Sequence, residues 1–149
     1  MHTLPEDAIS AAADVLADRW SLLILRDVIL SDRRHFRALL TGSDAGIASN
    51  ILADRLVRLV DAGLLSRGTA ARGQRARYSL TEAGIQTVPI LHALGTWGLT
   101  WRGDDAVSHA KLPCDEEQAQ LERFMDDLRD RHLRSESTGT DVASPASET

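Results

Sequence analysis

The stretch from Gly46 to Arg67 constrains the fold more than any other part of this chain. Its apolar positions recur at i, i+4, i+7 and i+8, which is one stripe along an α-helix: Leu52, Leu56, Leu59 and Val60. We predict that Ser49 caps the start of this helix. Gly63 should end it, because glycine readily adopts the left-handed conformation that follows a last helical turn.

The opposite face of this central helix is polar. It contains Asn50, Asp54, Val57, Arg58 and Asp61, and its flanks are Ile51, Ala53 and Arg55. Asparagine can form two hydrogen bonds with adenine and arginine two with guanine, so the face suits a helix that reads DNA bases. Taken alone, it is better explained as a solvated face with an ion pair between Asp54 and Arg58.

The charge distribution favours DNA binding over a merely solvated face. The net charge of −5 argues against a nucleic-acid partner only if the charge is evenly spread. Residues 19–80 contain eleven Arg and five Asp, whereas residues 1–18 contain four acidic residues and no Lys or Arg. Residues 81–149 contain six basic and thirteen acidic residues. A basic middle between acidic ends favours a DNA-binding face.

The composition excludes several classes of protein. A hydrophobic share of 43% supports a core, and 149 residues suggest one domain with appendages. The longest apolar run, Leu22–Leu25, is too short to span a bilayer, and no secretory signal is visible. We therefore expect a cytoplasmic protein with no membrane partner. A single cysteine excludes an internal disulfide.

The residues before the central helix complete a helix-turn-helix. Residues 6–17 form a first predicted helix, and Asp18 should cap a second, which is apolar on nearly every side over residues 20–30 and therefore buried. A short third helix turns Phe36 inward and its basic residues outward: Arg34, His35 and Arg37. Residues 42–46 form a turn into the central helix, and two helices joined in this way form a helix-turn-helix.

A basic hairpin is predicted after the central helix. Residues 64–68 and 75–80 are strand-like, and the glycine-containing segment between them is a turn. Residues 68–79 contain no acid and three arginines: Arg72, Arg75 and Arg77. Such a wing beside a recognition helix can contact phosphates or enter the minor groove. A solvated arginine-rich hairpin is the alternative, and the clustering favours DNA binding.

The remaining residues are predicted to be mostly helical. Thr81 should cap a helix that Pro89 kinks or divides near Val88. A last helix is predicted from Cys114 to Arg134, with acids in its first turn and basic residues in its last. It has an apolar stripe, which we expect a second copy to cover: Leu121, Phe124, Met125 and Leu128. Beyond it the sequence is low in hydrophobic residues and is predicted to be disordered.

Three segments together match a known pattern: Arg19–Arg26, Ile47–Leu65 and Tyr78–Gly84, the last continuing to Pro89 and Trp97-Gly98. In this order and spacing they resemble the HxlR-type winged helix-turn-helix regulators, a MarR-like group of bacterial transcription factors. The resemblance implies homodimers that bind palindromic operators, pair through N- and C-terminal helices, and act as repressors or activators. Of these two roles we favour the repressor.

The residues and the resemblance predict the same fold class: mainly α with a small β-hairpin wing (α+β), a winged helix-turn-helix with N- and C-terminal dimerisation helices. Residues 1–18 are assigned to an N-terminal dimerisation helix and residues 19–103 to the DNA-binding domain with its following helices. Residues 104–134 are assigned to a loop and a C-terminal dimerisation helix, and residues 135–149 to a disordered tail.

Double-stranded DNA is the expected partner, besides a second copy of the chain. The residues that we expect to contact it are Arg34, His35, Arg37, Ser49, Asn50, Ile51, Asp54, Arg55, Arg58, Arg72, Arg75 and Arg77. Asn50, Arg55 and Arg58 should supply base and nearby phosphate contacts, and Ile51 is available to a thymine methyl. Asp54 should either accept from cytosine or orient Arg58. The wing arginines should contact phosphates whatever the sequence.

The chain departs from the family pattern where a sensor thiol would lie. Many members carry a cysteine before the tryptophan that corresponds to Trp20, whereas residues 6–10 here contain none. We therefore expect no cofactor, and regulation, if any, by a small apolar or aromatic effector. Its cavity would lie between the wing domain and the dimer helices and be lined by Leu16, Trp20, Leu94, Trp97, Trp101 and Met125. Aromatic stripes at helical spacing are more often simply core, and that explanation is better supported.

Two other functions were weighed. An enzyme is not expected: Cys114 lacks a strand-turn-helix context, the five histidines show no i, i+4 pairing, and no glycine-rich phosphate loop is present. A winged helix that binds protein rather than DNA is the remaining alternative. The acidic ends are consistent with it, and the clustered arginines argue against it.

Overall fold

Helices dominate the computed structural model, which describes residues 6–70, 73, 75–103 and 118–134. Four helices precede a hairpin: α1 (Glu6–Leu16), α2 (Arg19–Ser31), α3 (Phe36–Gly42) and α4 (Ser49–Asp61). The hairpin strands are β1 (Leu65–Arg67) and β2 (Tyr78–Leu80), and α5 (Glu82–Ile85), α6 (Val88–Arg102) and α7 (Gln118–Arg129) follow. A π-helical turn, Asp130–Arg134, continues α7. The predicted mainly helical fold with a β-hairpin wing is confirmed.

The apolar stripe of α4 packs into the core as its spacing predicts. Leu52, Leu56 and Leu59 are at most 1% exposed, and Val60 is half-buried against them. Each buried leucine stabilises the fold by roughly 1.5–3 kcal/mol relative to an exposed one. Helix α4 packs on α2, and α2 also contacts α1, α3 and α6.

Most of the predicted helix ends are confirmed. Asp18 caps α2 by accepting a hydrogen bond from the Ser21 N–H at 2.9 Å, and Thr81 caps α5 by accepting one from the Gly84 N–H at 3.1 Å. Gly63 follows α4 with φ +79, the conformation that requires glycine. The prediction for Ser49 is wrong, because Ser49 already lies in the helix and the preceding Ala48 offers no side-chain acceptor.

The hairpin strands are shorter than predicted. Leu65 pairs with Leu80, Ser66 with Ser79, and Arg67 with Tyr78 in an antiparallel ladder. All three residues of β2 are buried, because other segments cover the face and edge that β1 leaves open. The wing beyond this ladder includes Arg75 and Arg77, whereas Arg72 lies outside the described residues.

Pro89 divides the helical region at the predicted place. Helix α5 ends at Ile85, and α6 begins at Val88 with the proline in its first turn, where the missing N–H costs no helical hydrogen bond. Gly84 lies so close to β1 that a Cβ would come within 2.2 Å of the Leu64 carbonyl oxygen. Only glycine therefore allows α5 to pack against the start of the hairpin.

Helix α7 packs against its own chain. Leu121, Met125 and Leu128 are buried in the core, and the adjoining π-helical turn contacts β2. Part of the apolar stripe that was expected to need a second copy is thus covered within one chain. The predicted start of this helix at Cys114 and the predicted tail, residues 135–149, lie outside the described residues.

Within the described ranges, no helix combines the length and the apolar character that crossing a membrane would require.

Candidate nucleic-acid interface

The outward face of α4 is open to solvent along its length. Asn50, Asp54 and Arg58 are exposed, and none of the ion pairs within the described residues involves Arg58. Val57 lies on the same face and is 60% exposed, although it is apolar. An apolar side chain at this position can contact a thymine methyl group if the helix enters the major groove.

Two of the expected contacts on α4 differ in exposure. Ile51, expected to meet a thymine methyl, is half-buried and packs against the core, so Val57 is the more accessible apolar contact. Ser49 is exposed in the first turn of α4 and does not cap the helix. Sequence reasoning placed Val57 on this face without assigning it a contact.

Arg55 is held by two carboxylates. Its Nε donates to Asp18 Oδ2 at 2.7 Å, its Nη2 to Asp18 Oδ1 at 3.3 Å, and its Nη1 to Asp54. The expected ion pair between Asp54 and Arg58 is therefore wrong: Asp54 pairs with the neighbouring arginine instead. The Arg55 hydrogen bond is the main cause that lowers the pKa of Asp18 to about 2, so that carboxylate stays charged.

Arg34 does not face outward, and that part of the prediction is wrong. The residue is only 3% exposed, and its Nε donates to the Tyr78 carbonyl oxygen at 3.0 Å. It lies in the extended segment before α3, so helical periodicity could not locate its side chain. Its neighbour His35 is half-buried at the start of α3, while Arg37 is exposed on the first turn.

A basic groove runs between α3 and the wing. It has a volume of about 380 Å³, with Phe36 and Tyr78 as its aromatic walls and arginines from three elements on its rim: Arg37, Arg67 and Arg75. All three arginines are exposed. Arg77, the other described wing arginine, is exposed beside the ladder.

A second groove joins the first to the recognition helix. Its volume is about 410 Å³, and Ala53, Val57 and Asp61 of α4 face Arg67 of the wing across it. Arg67 was missed in the sequence because it ends β1 outside the arginine cluster. Its pairing opposite Tyr78 is what brings it to the rim of both grooves.

The six residues predicted to line an effector cavity lie in different environments. Met125 is buried, Leu16 and Trp20 are half-buried, and the three from α6 are open to solvent: Leu94 at 46%, Trp97 at 58% and Trp101 at 72% exposed. These exposures do not fit an enclosed cavity within one chain.

No group of three His, Cys, Asp or Glu side chains that could hold a metal ion occurs in the part of the chain that the structure describes.

The chain matches the model of a known family and several relatives. The family described as HxlR-like helix-turn-helix matches residues 15–106. An uncharacterized HTH-type transcriptional regulator of Mycobacterium bovis is 34% identical over 98 residues, which are 65% of this chain and 60% of the relative. The chain thus spans less than two thirds of the length of that relative.

Solved structures show the same fold. PA1607, described as a candidate transcription factor, is 33% identical with a TM-score of 0.62, and the match covers 74% of this chain and 76% of that one. A MarR-family candidate transcriptional regulator from Enterococcus faecalis is 27% identical with a TM-score of 0.57, covering 68% and 92%. The relatives are described as regulators and not as enzymes.

Proposed function

Because the chain belongs to the HxlR-like helix-turn-helix family, we propose that it is a transcriptional regulator that binds a palindromic DNA operator as a homodimer. The observation that carries the proposal is the position of the exposed face of α4. It lies beside two grooves whose rims bring together Arg37, Arg67 and Arg75 from different elements. A reading helix next to a basic wing is the arrangement that contacts bases and phosphates at once.

Base reading is assigned to the middle of the outward face of α4. Asn50 suits adenine and Arg58 suits guanine, because each can form two hydrogen bonds with the edge of its base. Val57, at 60% exposure, supplies an apolar contact for a thymine methyl group. Loss of one such base contact costs about 1–3 kcal/mol of discrimination.

Phosphate binding is assigned to the arginines around the grooves and on the wing: Arg37, Arg67, Arg75 and Arg77. Their guanidinium groups are exposed on α3 and on both sides of the hairpin. Each arginine that replaces a counterion on duplex DNA contributes about −0.9 to the slope of log affinity against log salt. These contacts fix the register of α4 in the groove without selecting a sequence.

Dimerisation is assigned to the exposed apolar residues of α6 and α1. Helix α6 exposes Leu94, Trp97, Leu99 and Trp101 at 46–72%, and α1 exposes Ile9 at 55%. Leu94, Trp97 and Trp101 recur at i, i+3 and i+7 and therefore share one face of α6. An exposed apolar face of this kind supports a second copy as its cover. Two-fold pairing that sets the recognition helices about 34–36 Å apart would match one turn of DNA.

Repression released by a small apolar effector is the mode of regulation that we favour. The supporting feature is the same α6 surface, because it exposes three residues predicted for the effector site, which a second copy would cover: Leu94, Trp97 and Trp101. A winged helix that binds protein instead of DNA is the alternative function. It would use the exposed faces of α4 and α6 without any need for the arginines of the grooves.

Selection of bound sequences from a random duplex pool tests the proposal. We expect enrichment of an inverted repeat whose half-site centres are one helical turn apart, about 10 base pairs. Arg58→Ala should broaden the selected base at one position in each half-site. The matched control is Arg123→Ala on α7, outside the proposed interface, which should select the same sequence as the wild type. A pool that stays random after selection with the wild type would overturn the proposal.

A further inference from the structure

Three buried polar side chains meet at the free edge of the wing. Arg34, Ser79 and His132 are 3%, 2% and 0% exposed, although polar residues of these types are mostly found at the surface. They come from three separate segments: the corner between α2 and α3, the strand β2, and the π-helical turn after α7. Burial of such groups is costly unless they are hydrogen-bonded, so their partners show what they hold together.

Arg34 occupies the edge of β2 as a neighbouring strand would. Its carbonyl oxygen accepts from the Tyr78 N–H at 2.7 Å, and its Nε donates back to the Tyr78 carbonyl oxygen at 3.0 Å. Its Nη2 donates to the hydroxyl of Ser79, and its Nη1 donates to the carbonyl oxygen of Arg131 at 3.4 Å. One arginine thus joins the wing strand to the C-terminal turn.

His132 takes the next N–H along the same edge. The Leu80 N–H donates to Nδ1 of His132 at 2.9 Å, two residues beyond the N–H that Arg34 accepts. In a strand, N–H groups two residues apart point to the same edge, so Arg34 and His132 together satisfy the side of β2 that β1 does not pair. We call this pair the edge clasp.

The clasp requires a neutral imidazole. Nδ1 can accept the Leu80 N–H only if it carries no proton, which places the ring proton on Nε2, 3.8 Å from Asp32 Oδ1. Burial, and next the positive charge of Arg34, lower the pKa of His132 to about 4. The ring is therefore neutral at the pH of the cell, and the acceptor is available.

We propose that Arg34 and His132 are positioning residues for DNA binding, which hold the wing through the free edge of β2 and tie it to the C-terminal helix. This inference rests on the proposed function, in which the wing contacts phosphates. Arg77 and Arg75 lie directly before β2, so the position of this strand sets theirs. The C-terminal helix is consequently part of the DNA-binding unit, and any displacement of α7 weakens DNA binding through the wing.

The test compares two substitutions at His132 in the full chain. His132→Asn keeps an acceptor oxygen near the position of Nδ1, whereas His132→Leu has a similar volume and no acceptor. We expect the Leu80 amide of the leucine variant to exchange hydrogen at least about tenfold faster, because a buried N–H loses its only partner. Exchange at Leu56 in α4 should be unchanged. The asparagine variant should restore most of the protection.

DNA affinity is the second measurement on the same variants. Affinity for random duplex DNA should fall about tenfold or less in His132→Leu, with a shallower salt slope because the wing arginines contribute less, and recover in His132→Asn. Unchanged Leu80 protection in the leucine variant, or equal losses in both variants, would overturn the inference. Wild-type protein that does not bind DNA would instead overturn the proposed function and leave the Leu80 exchange result as the test of the clasp.

A pH series on the wild type keeps the inference testable if His132→Leu does not fold. Protonation of Nδ1 removes the acceptor, so Leu80 protection should fall as the pH approaches 4. The charged groups around the ring are Asp32, Arg34, Arg77 and Arg131. His132→Asn keeps these neighbours and has no titrating ring, so its Leu80 protection should stay flat over the same range. Equal pH dependence in the wild type and His132→Asn would overturn the inference.

Discussion

The carboxylate of Asp18 accepts hydrogen bonds both from Arg55 on α4, at 2.7 Å, and from the Ser21 N–H in the first turn of α2, at 2.9 Å. The Asp18 side chain thus caps α2 and fixes α4 to it. The fixed angle between these helices decides how the outward face of α4 is presented. We infer that Arg55 supports the frame of the helix-turn-helix, and our proposal assigns the reading of bases to Arg58 and Asn50.

Arg55→Ala and Arg58→Ala should therefore have different effects. Loss of the partly exposed Asp18–Arg55 pair should lower the free energy of unfolding only slightly and weaken binding to all DNA sequences alike. Arg58→Ala should leave stability unchanged and relax base discrimination, because its side chain is exposed and outside the described ion pairs. Urea unfolding and binding to matched and mismatched duplexes measure both effects. Relaxed specificity with wild-type stability in Arg55→Ala would contradict the assignment.

The dimer prediction is tested with two matched apolar residues. Trp97 on α6 and Val57 on α4 are 58% and 60% exposed, so substitution of either residue by glutamate should change the stability of a monomer little. Trp97→Glu should convert the protein to monomers in sedimentation velocity, because a charge would be buried between two copies. Val57→Glu should remain dimeric but lose DNA affinity, since its carboxylate would face bases and phosphates. A monomeric wild type at micromolar concentration would refute the dimer.

The grooves predict which arginines contribute to salt dependence. Arg67→Ala or Arg75→Ala should make the slope of log affinity against log salt shallower by about 0.9 per protomer, with little change in sequence preference. Arg102→Ala at the end of α6 is the matched control and should leave the slope unchanged, because it lies outside the grooves. If log affinity against log salt has the same slope for Arg67→Ala and the wild type, the groove is not part of the DNA interface.

Stability should fall on acidification earlier than carboxylates alone would cause. The pKa of His132 is lowered from 6.5 to about 4, so the unfolded chain binds a proton more readily as the pH falls. The contribution of neutral His132 to the free energy of unfolding is fully present above pH 6.5 and is lost as the pH falls to 4. The total loss is on the order of 3 kcal/mol. Below pH 4, protonation of Asp18 and Glu82, whose pKa values are about 2, lowers the free energy of unfolding further.

Unfolding in urea between pH 7 and pH 4 checks this dependence. The wild type should lose stability through this range, whereas His132→Asn, which has no titrating ring, should have a flatter profile. A wild-type profile that is level down to pH 4 would show that His132 is not buried in the neutral form.

The local patterns of the sequence were sufficient for the central elements and insufficient for the clasp. Local patterns predict the apolar stripe of α4, the caps at Asp18 and Thr81, and the break at Pro89. Each of these features depends on residues that are close together in the sequence. Arg34 and His132 bond to β2 across 44 to 52 residues, and no local pattern carries that information. Composition was misleading at Arg34, because arginine is almost never fully buried unless it is paired.

The wing and C-terminal helix show the same limit. Arg67 lies at the rim of the grooves because the register of the hairpin pairs it with Tyr78. This register cannot be deduced from the position of Arg67 in the sequence. The stripe of α7 correctly predicted an apolar face, with Leu121 and Met125 buried, but a stripe does not say whether the same chain or a second copy covers it.

The salt dependence of wild-type binding to a random duplex tests the central claim most directly. Four arginines per protomer, eight in the dimer, predict a slope of log affinity against log salt of about −7. Fluorescence anisotropy over a series of salt concentrations from about 50 to 200 mM measures it. A steep negative slope near this value is the predicted result. No binding at the lowest salt, or a slope near zero, would contradict a DNA-binding regulator and favour the protein-binding winged helix.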